Sequence, residues 1–498
     1  MRKPAEKKNF LYTLFCWVFA AVFAGIWLGT IVNNRTSYYQ YQVVPILACG
    51  GAALLVLVGA WRLWKRWAFS LPPKKEATLV AGLLAAYFAV QLGFSFLMQV
   101  SASPTWDFGI VFSAAREYVL NGTMPGEYFT QFHNNAPMYL FLVAFFKLLH
   151  LFGVEIFMPF ALVLNNLLIN ASLLALYWAL RQLYGAKNAL FGLMGSFLFL
   201  CFLMYGPILY TDTATMPFPI LALAIWLRAR QLPWGKGAAL RCAAVGLLAA
   251  VGAWLKLTVA IMLIAILIDM ALGATRGARW KRAGCALAAF AVLYGALSAV
   301  TLHTAWLPEY KKEEAIPYLH WVMMGLYDDG GYNDDAYKLT LQGETYAERL
   351  EIDKKEIARK VREMGPAGLA AHTVNKLIFT FGEGMYHAPI KLDLGAVHQN
   401  PLQMYFIQGK QHLGRTAYAT LAVQLALLAG LCVAAARAAR SRAHGATVAR
   451  VAVFGLMLFL LMWETRSRYL MNFLPVLLLA AFPGTPPKVD EAAQGAVK

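Results

Sequence analysis

Residues 10–32, FLYTLFCWVFAAVFAGIWLGTIV, form an uncharged apolar run that decides the class of this protein. A helix needs about 20 apolar residues to cross the hydrocarbon core of a bilayer. Basic side chains precede the run at Arg2, Lys3, Lys7 and Lys8, and the run shows no clear small-residue cleavage site. We therefore expect a membrane-spanning helix rather than a cleaved signal peptide.

Similar apolar runs recur along the whole chain. Of the 498 residues, 60% are hydrophobic and only 14% are charged, whereas soluble domains average about 25% charged residues. This composition excludes an ordinary soluble enzyme, a disulfide scaffold and a disordered chain. We predict an all-α polytopic membrane protein with about 12 transmembrane helices, at residues 10–33, 43–62, 77–99, 155–180, 187–207, 214–230, 239–255, 257–273, 283–302, 415–437, 448–463 and 467–484.

The net charge of +18 indicates how these helices are oriented. Lysine and arginine concentrate in the short cytoplasmic loops of membrane proteins. We therefore predict a multi-pass protein of the plasma or inner membrane, without a nucleic-acid partner. We assign to the cytoplasm both chain termini and the basic loops at residues 62–75, 181–187, 228–241, 276–282 and 437–450.

One further apolar run, residues 136–152, decides the topology. It is short and contains Lys147 and His150. If it spanned the membrane, every later basic loop would fall outside; if it lay in the outer interface, all of them would fall inside. We therefore predict that it is interfacial. The polar loops 101–135, 210–213, 303–414 and 464–468 then share one extracytoplasmic face.

This topology divides the chain into three parts. Residues 1–302 form an N-terminal transmembrane module, residues 303–414 an extracytoplasmic soluble segment, and residues 415–498 the C-terminal transmembrane helices with a cytoplasmic tail. Within the soluble segment, residues 346–362 show the apolar spacing of a helix, and Gly365–Pro366 interrupts that pattern.

Two aspartates on the predicted outer face are candidate catalytic residues. Asp107 follows the third predicted helix among aromatic side chains, and Asp212 lies between the fifth and sixth. Ionisable residues at a membrane are costly and are therefore functional candidates. A carboxylate in such a position can bind a metal ion or accept a proton from an attacking nucleophile. The alternative for both residues is a helix N-cap.

Polar and aromatic residues near these aspartates are typical of a sugar-binding surface. The stretch from Tyr128 to Pro137 leads into the interfacial run and combines hydrogen-bonding with aromatic side chains. An aromatic belt at the interface is the alternative. The candidate substrate-binding residues are Tyr128, His133, Asn134, Asn135, Tyr210 and Tyr469.

Three cations on the same face are candidates for binding a phosphate. Arg466 and Arg468 break the positive-inside pattern, and Lys256 lies in a very short turn between two predicted helices. Guanidinium groups suit phosphate oxygens. Snorkelling to lipid headgroups is the alternative. P-loop, Rossmann, HExxH and GxSxG motifs are absent from the sequence, which argues against an ATP-driven pump and the familiar serine and zinc hydrolases.

Taken in chain order, these features resemble the GT-C superfamily of integral-membrane glycosyltransferases, above all its protein O-mannosyltransferase and aminoarabinose-transferase branch. Asp107 matches an acid in the first outer loop, and Asn134–Leu140 with Leu151–Gly153 resembles the juxtamembrane helices that follow it. Tyr210–Asp212 matches a second outer acid, and Arg468–Leu470 with Pro475 resembles a late basic-Tyr…Pro motif.

The resemblance implies a GT-C-like fold and an inverting sugar transfer on the extracytoplasmic face. The donor would be a polyprenyl-phosphate sugar and the acceptor an envelope glycan, lipid or protein. Asp107 would deprotonate or orient the acceptor, with Asp212 as the second catalytic acid, and Arg468 would stabilise the leaving phosphate with Arg466 or Lys256. Some branches use a divalent metal ion, for which the candidate ligands are Asp107, Asp212 and His133.

A polytopic transporter or a flippase of lipid-linked glycans is the main alternative. Transporters are often built from inverted repeats around a site at the membrane midplane. The sequence shows no internal repeat, and its polar candidates cluster at one predicted face. An envelope-polymer ligase of another fold remains a further alternative.

Overall fold

A computed structural model of the chain describes residues 3–67, 71–102, 106–272, 278–394, 397–441 and 445–484. Arg2, positions 103–105 of the first outer loop, parts of three basic loops and the predicted tail from residue 485 lie outside the described residues.

The described chain is helical from end to end and contains no β-strand. Short 3₁₀ segments lie at His133–Asn135, Leu257–Val259, Lys312–Glu314 and Ser467–Phe473. The α-helices are α1 (Lys3–Asn33), α2 (Val43–Arg66), α3 (Pro73–Leu97), α4 (Asp107–Asn121), α5 (Tyr128–Gln131), α6 (Ala136–His150), α7 (Met158–Tyr184), α8 (Ala186–Ser196), α9 (Cys201–Met204), α10 (Thr211–Ala214), α11 (Pro217–Ala229), α12 (Lys236–Leu255), α13 (Ala260–Leu272), α14 (Arg279–His303), α15 (Leu319–Met324), α16 (Asp334–Thr340), α17 (Tyr346–Phe381), α18 (Ala388–Asp393), α19 (Gln403–Phe406), α20 (Leu413–Ser441), α21 (Thr447–Met462) and α22 (Leu474–Ala481).

The prediction of an all-α polytopic membrane protein is confirmed. In the described ranges, seven helices are long and apolar enough to cross a membrane: the part of α1 from Phe10 to Asn33, together with α2, α3, α7, α12, α14 and α20. Every predicted span contains helix, but the other five are shorter or interrupted. Pro217 and Pro475 explain two of the interruptions, because proline is accepted in the first turn of a helix but not in its interior.

Helix α6 corresponds to the ambiguous apolar run. It has 15 residues, so it is about 22 Å long and too short to cross a core of about 30 Å. The hydroxyl of Tyr139 donates to the carbonyl of Trp306 at 2.9 Å, and the ammonium of Lys147 lies 4.4 Å from the Trp306 ring. Trp306 follows α14 directly, so α6 packs at the C-terminal end of that helix. This contact supports the interfacial prediction.

Several basic loops meet at one end of the helix bundle. Arg230, which follows α11, donates to the carbonyl of Gly445 at 2.9 Å. Arg282, near the start of α14, donates to the carbonyl of Leu232 at 2.6 Å. The predicted basic loops 228–241, 276–282 and 437–450 are therefore neighbours in space, and the sidedness itself stays a prediction.

The described residues of the segment 303–414 form helices that pack at the other end of the bundle. Its main helix, α17, starts with a capping box between Thr345 and Glu348 and is broken at Gly365, whose φ of 59° is left-handed. The predicted helix at 346–362 is thus confirmed. Lys376 is buried and donates to the carbonyls of Gly325 at 2.9 Å and Leu461 at 3.0 Å, which fastens the segment to the end of α21.

Single cysteines can test the predicted sidedness, because Gln231 and Glu344 are both exposed and lie in a basic loop and in the outer segment. In a variant without the six native cysteines, we expect a membrane-impermeant maleimide to label Glu344→Cys in intact cells. Gln231→Cys should be labelled only after permeabilisation. The cysteine-free parent is the control, and labelling at position 231 in intact cells would overturn the topology.

Candidate functional site

A large cavity opens at the end of the bundle opposite the basic loops. Its volume is about 1220 Å³, above the roughly 300–1,000 Å³ usual for a small-molecule site. All of the site residues predicted from the sequence line this cavity: Asp107, Tyr128, His133, Asn134, Asn135, Tyr210, Asp212, Lys256, Arg466, Arg468 and Tyr469.

These residues come together because each lies at a helix terminus or in a turn beside one. Asp107 starts α4, Asp212 is in the first turn of α10, and Lys256 ends α12. The N-caps of α4 and α10 are Trp106 and Tyr210, so neither aspartate is itself a helix cap, contrary to the alternative considered above. Acids in a first turn are still favoured by the helix dipole.

A chain of directed hydrogen bonds ends on Asp107. The Tyr210 hydroxyl donates to Oδ1 of Asn135 at 2.7 Å, and Nδ2 of Asn135 donates to the Tyr128 hydroxyl at 2.6 Å. The Tyr128 hydroxyl in turn donates to Oδ1 of Asp107 at 2.8 Å. Such chains polarise one another and hold the terminal acceptor in one orientation.

Burial keeps both tyrosines of this chain protonated. It raises the pKa of Tyr128 and Tyr210 well above the usual value, and the nearby Asp107 carboxylate raises both further. Each phenol therefore stays a donor at neutral pH. Oδ2 of Asp107 receives no hydrogen bond from the described residues, and Asp107 lines the cavity. This oxygen is available to accept a proton.

Asp212 joins two of the predicted phosphate-binding cations. Nζ of Lys256 donates to Oδ1 of Asp212, and Nε of Arg468 lies 3.8 Å from Oδ2. The Asp212 side chain is 3% exposed and that of Arg468 is 10% exposed. Arg468 is thus buried in the protein, which excludes snorkelling to lipid headgroups for this residue.

Arg468 retains unused hydrogen-bonding capacity. Its Nε and Nη1 are buried and have no hydrogen-bond partner within the described part of the chain. The guanidinium also lies over the Tyr469 ring, 5.1 Å from its centroid. Buried donors without acceptors are costly, so an oxyanion bound beside Arg468 would relieve an unfavourable state of the protein.

Arg466 is held by two buried groups. Its Nε lies 3.9 Å from Oε1 of Glu464, and its Nη1 lies 3.0 Å from Nε2 of His387. Burial and the nearby Arg466 lower the pKa of His387 well below the usual value, so the ring is neutral. Its Nε2 accepts from Arg466, and the proton is consequently on Nδ1, 3.4 Å from the Ser37 hydroxyl.

Glu383 links the stretch that contains Arg466 and Arg468 to Tyr38 and His387. Its Oε2 accepts from the Ser467 hydroxyl at 2.5 Å, and its Oε1 accepts from the Tyr38 hydroxyl and from the His387 N–H, the latter at 2.5 Å. His387 has a left-handed φ of 64°, which is uncommon outside glycine and is held here by that bond. Burial raises the pKa of Glu383, while its donors favour the charged form.

Sequence reasoning missed Glu383, His387 and Lys391, because they lie in the segment 303–414, to which no motif could be assigned. Lys391 lines the same cavity. One signal was present: Glu383 stands between two glycines. A Cβ at Gly384 would lie 2.2 Å from the Thr420 carbonyl oxygen, so the backbones there approach too closely for any side chain.

The three candidate metal ligands are not gathered around one point. In the described ranges, no group of three or more His, Cys, Asp and Glu side chains could hold a metal ion. Asp212 is already paired with two cationic side chains. His133 packs against the Tyr310 ring, with 4.3 Å between the ring centroids. A divalent ion at Asp212 would have to displace Lys256, so these residues do not fit a metal ion.

The Asp212 cluster should be essential for stability. Asp212→Asn leaves buried Lys256 and Arg468 without their carboxylate, for which we expect a loss of about 3–5 kcal/mol. The thermal unfolding midpoint of the detergent-purified protein measures this loss. Asp334→Asn removes an exposed ion pair with Lys338 and should leave the unfolding midpoint nearly unchanged, because solvent screens exposed pairs. Equal midpoints for the two variants would contradict the role of Asp212.

Comparison with known proteins identifies a family and one distant structural likeness. No curated protein matches the sequence. The solved structure of the archaeal oligosaccharyltransferase AglB from Archaeoglobus fulgidus, in complex with an inhibitory peptide and a dolichol-phosphate, matches at 12% identity with a TM-score of 0.41. The match covers 80% of this chain and 50% of that one, so this chain spans about half the length of AglB. A TM-score this low does not establish that the two proteins share a fold.

A family model described as "Conserved hypothetical integral membrane protein" matches residues 5–485, which is nearly the whole sequence. The chain therefore belongs to this family of integral membrane proteins.

Proposed function

We propose that this protein is a membrane glycosyltransferase. It moves a sugar from a polyprenyl-phosphate donor to an envelope acceptor on the extracytoplasmic face. The observation that carries the proposal is the pairing, in one cavity of about 1220 Å³, of a carboxylate with a free oxygen and a buried arginine with unused donors. The resemblance of the outer-face motifs to the GT-C superfamily supports the same activity.

Asp107 is the base of the proposed reaction. The hydroxyl or amine of the acceptor gives its proton to Oδ2, while Tyr128 holds Oδ1 in place. The nucleophile forms a bond to the anomeric carbon as the bond from that carbon to the phosphate oxygen breaks. A single displacement of this kind inverts the anomeric configuration.

The leaving polyprenyl phosphate takes the bonding electron pair and is stabilised by Arg468 and Arg466. Preorganised donors aimed at developing negative charge are commonly the largest contribution to catalysis. Asp212 orients Arg468 and Lys256 rather than meeting the sugar, since both of its oxygens face cations.

The sugar ring is placed against the polar and aromatic wall of the cavity. Asn134 and His133 belong to the 3₁₀ turn before α6, and Tyr469 lies beneath the Lys256 ammonium at 5.2 Å. Amide groups and aromatic rings can together bind the hydroxyls and the apolar face of a sugar. In this proposal, these candidate binding residues surround the sugar near its reacting carbon.

Replacing the base should abolish transfer. We expect Asp107→Asn to lower the transfer rate at least about 100-fold, within the range for loss of a general base, with normal expression. Mass analysis of lipid-linked sugars and envelope glycans in cells with and without the protein measures this effect. The expected result is accumulation of a polyprenyl-phosphate sugar and loss of one decoration in both the null and the mutant strain.

The matched control is Asp335→Asn, because Asp335 is an exposed acid of the outer segment. It should retain the decoration. Full decoration with Asp107→Asn would show that Asp107 is not the base. If neither lipid-linked sugar nor glycan changes in the null strain while the donor is present, the transfer proposal fails and transport assays follow.

Removing the phosphate ligand should weaken donor binding. Arg468→Ala eliminates charge-assisted hydrogen bonds worth roughly 1.5–3 kcal/mol, so the Kd for polyprenyl phosphate should rise about 10- to 100-fold. Arg468→Lys keeps the charge near Asp212 and should recover part of the affinity. Arg415→Ala, at an exposed position, is the control. An unchanged Kd with Arg468→Ala would exclude a phosphate role.

A further inference from the structure

Lys391 is a cation of the cavity that the proposed reaction does not use. It lies in α18, and its Nζ is 4.4 Å from the ring centroid of Trp106. Trp106 directly precedes Asp107 in the chain and lines the same cavity. This ammonium is therefore on the side of the cavity where the base is.

Lys391 differs from the other cations of the site in having no anion. It forms neither a hydrogen bond nor an ion pair with any residue that the structure describes. The cation–π contact is attractive but leaves the charge uncompensated. The indole Nε1 of Trp106 is likewise buried without an acceptor in the described chain. The other three cations each lie within 4 Å of a carboxylate, in the pairs Lys256–Asp212, Arg468–Asp212 and Arg466–Glu464.

The electrostatic environment agrees with a missing anion. Burial, and after it the positive charge of Arg468, lower the pKa of Lys391 to about 7, although Asp107 opposes the shift. A partly desolvated ammonium without a counter-charge is unfavourable, and a bound anion stabilises its charged form.

We propose that Lys391, against Trp106, is an anion subsite for the acceptor, which carries a carboxylate or phosphate group close to its nucleophile. The inference rests on the proposed transferase function and narrows its acceptor to anionic molecules. It assigns the anion to the acceptor because Asp107, the neighbour of Trp106, takes the acceptor proton, whereas the donor phosphate already has Arg468 and Arg466. A second phosphate on the donor is the competing source of the same chemistry.

Reductive methylation read by mass spectrometry tests the subsite without requiring transfer. The purified full-length protein is methylated alone, with polyprenyl phosphate, with polyprenyl diphosphate, and with polyprenyl phosphate plus glucuronate or inorganic phosphate. Methyl glucoside is the neutral control, and the exposed Lys410 is the internal reference. We expect glucuronate or phosphate to lower methylation of Lys391 at least about threefold, and the neutral sugar and polyprenyl phosphate alone to leave it unchanged.

Two outcomes overturn the inference. Protection of Lys391 by either polyprenyl lipid alone assigns the anion to the donor. Protection by none of the small anions shows that there is no subsite. Failure of polyprenyl phosphate to bind at all would count against the proposed function. The effect of small anions on Lys391 methylation would still test the subsite.

Variants give an independent test in cells. Lys391→Met removes the charge at similar length and should lower the glycan decoration about tenfold or more, since charge-assisted contacts are worth at least that. Lys391→Arg should retain most of it, and Lys410→Met all of it. Full decoration with Lys391→Met would overturn the inference. If wild-type cells make no decoration, the proposed function fails and the methylation experiment alone decides the subsite.

Discussion

The buried carboxylate of Asp212 is the charge around which the cavity end of the bundle is assembled. It meets Lys256 from the end of α12 and Arg468 from the segment after α21, so three distant stretches of chain share one ion cluster. Net stabilisation by such clusters is small, because desolvation offsets the attraction. Breaking one is costly, however, since it leaves buried charges unpaired. The cluster therefore selects one arrangement of these helix ends, and the cavity depends on that arrangement.

The segment 303–414 completes this arrangement rather than lying apart from it. Glu383 and His387 hold Ser467 and Arg466, while the N–H of Thr465 donates to the carbonyl of Gly330 at 2.7 Å. The loop that carries both arginines is thus fixed from the side of the outer segment. In the proposed reaction, α4 in the loop after α3 supplies Asp107, and the segment 303–414 orders the loop that binds the donor phosphate. The same segment contributes Lys391, to which we assign a role in acceptor binding.

Several short helices and helix ends meet at the cavity. A helix that ends inside the protein leaves backbone groups and side chains to be satisfied by neighbours. Here α10, the C-terminal end of α12 and three 3₁₀ segments border a common cavity and line it with polar side chains; those segments are His133–Asn135, Leu257–Val259 and Ser467–Phe473. Longer, unbroken helices would have satisfied their own backbone and left fewer polar groups converging on one point.

The sequence by itself determined the helical membrane class, because apolar runs of bilayer length have few other stable states. It also singled out Asp107, Asp212, Lys256 and the two arginines, because charges are rare and costly at a membrane. Only the tertiary structure decided that Asp212 neutralises cations while Asp107 keeps a free oxygen, since that depends on which side chains meet across distant helices. Lys391 was likewise found only through its surroundings: a lysine in a polar segment looks ordinary until packing places it, partly buried, in the cavity without an ion-pair partner among the described residues.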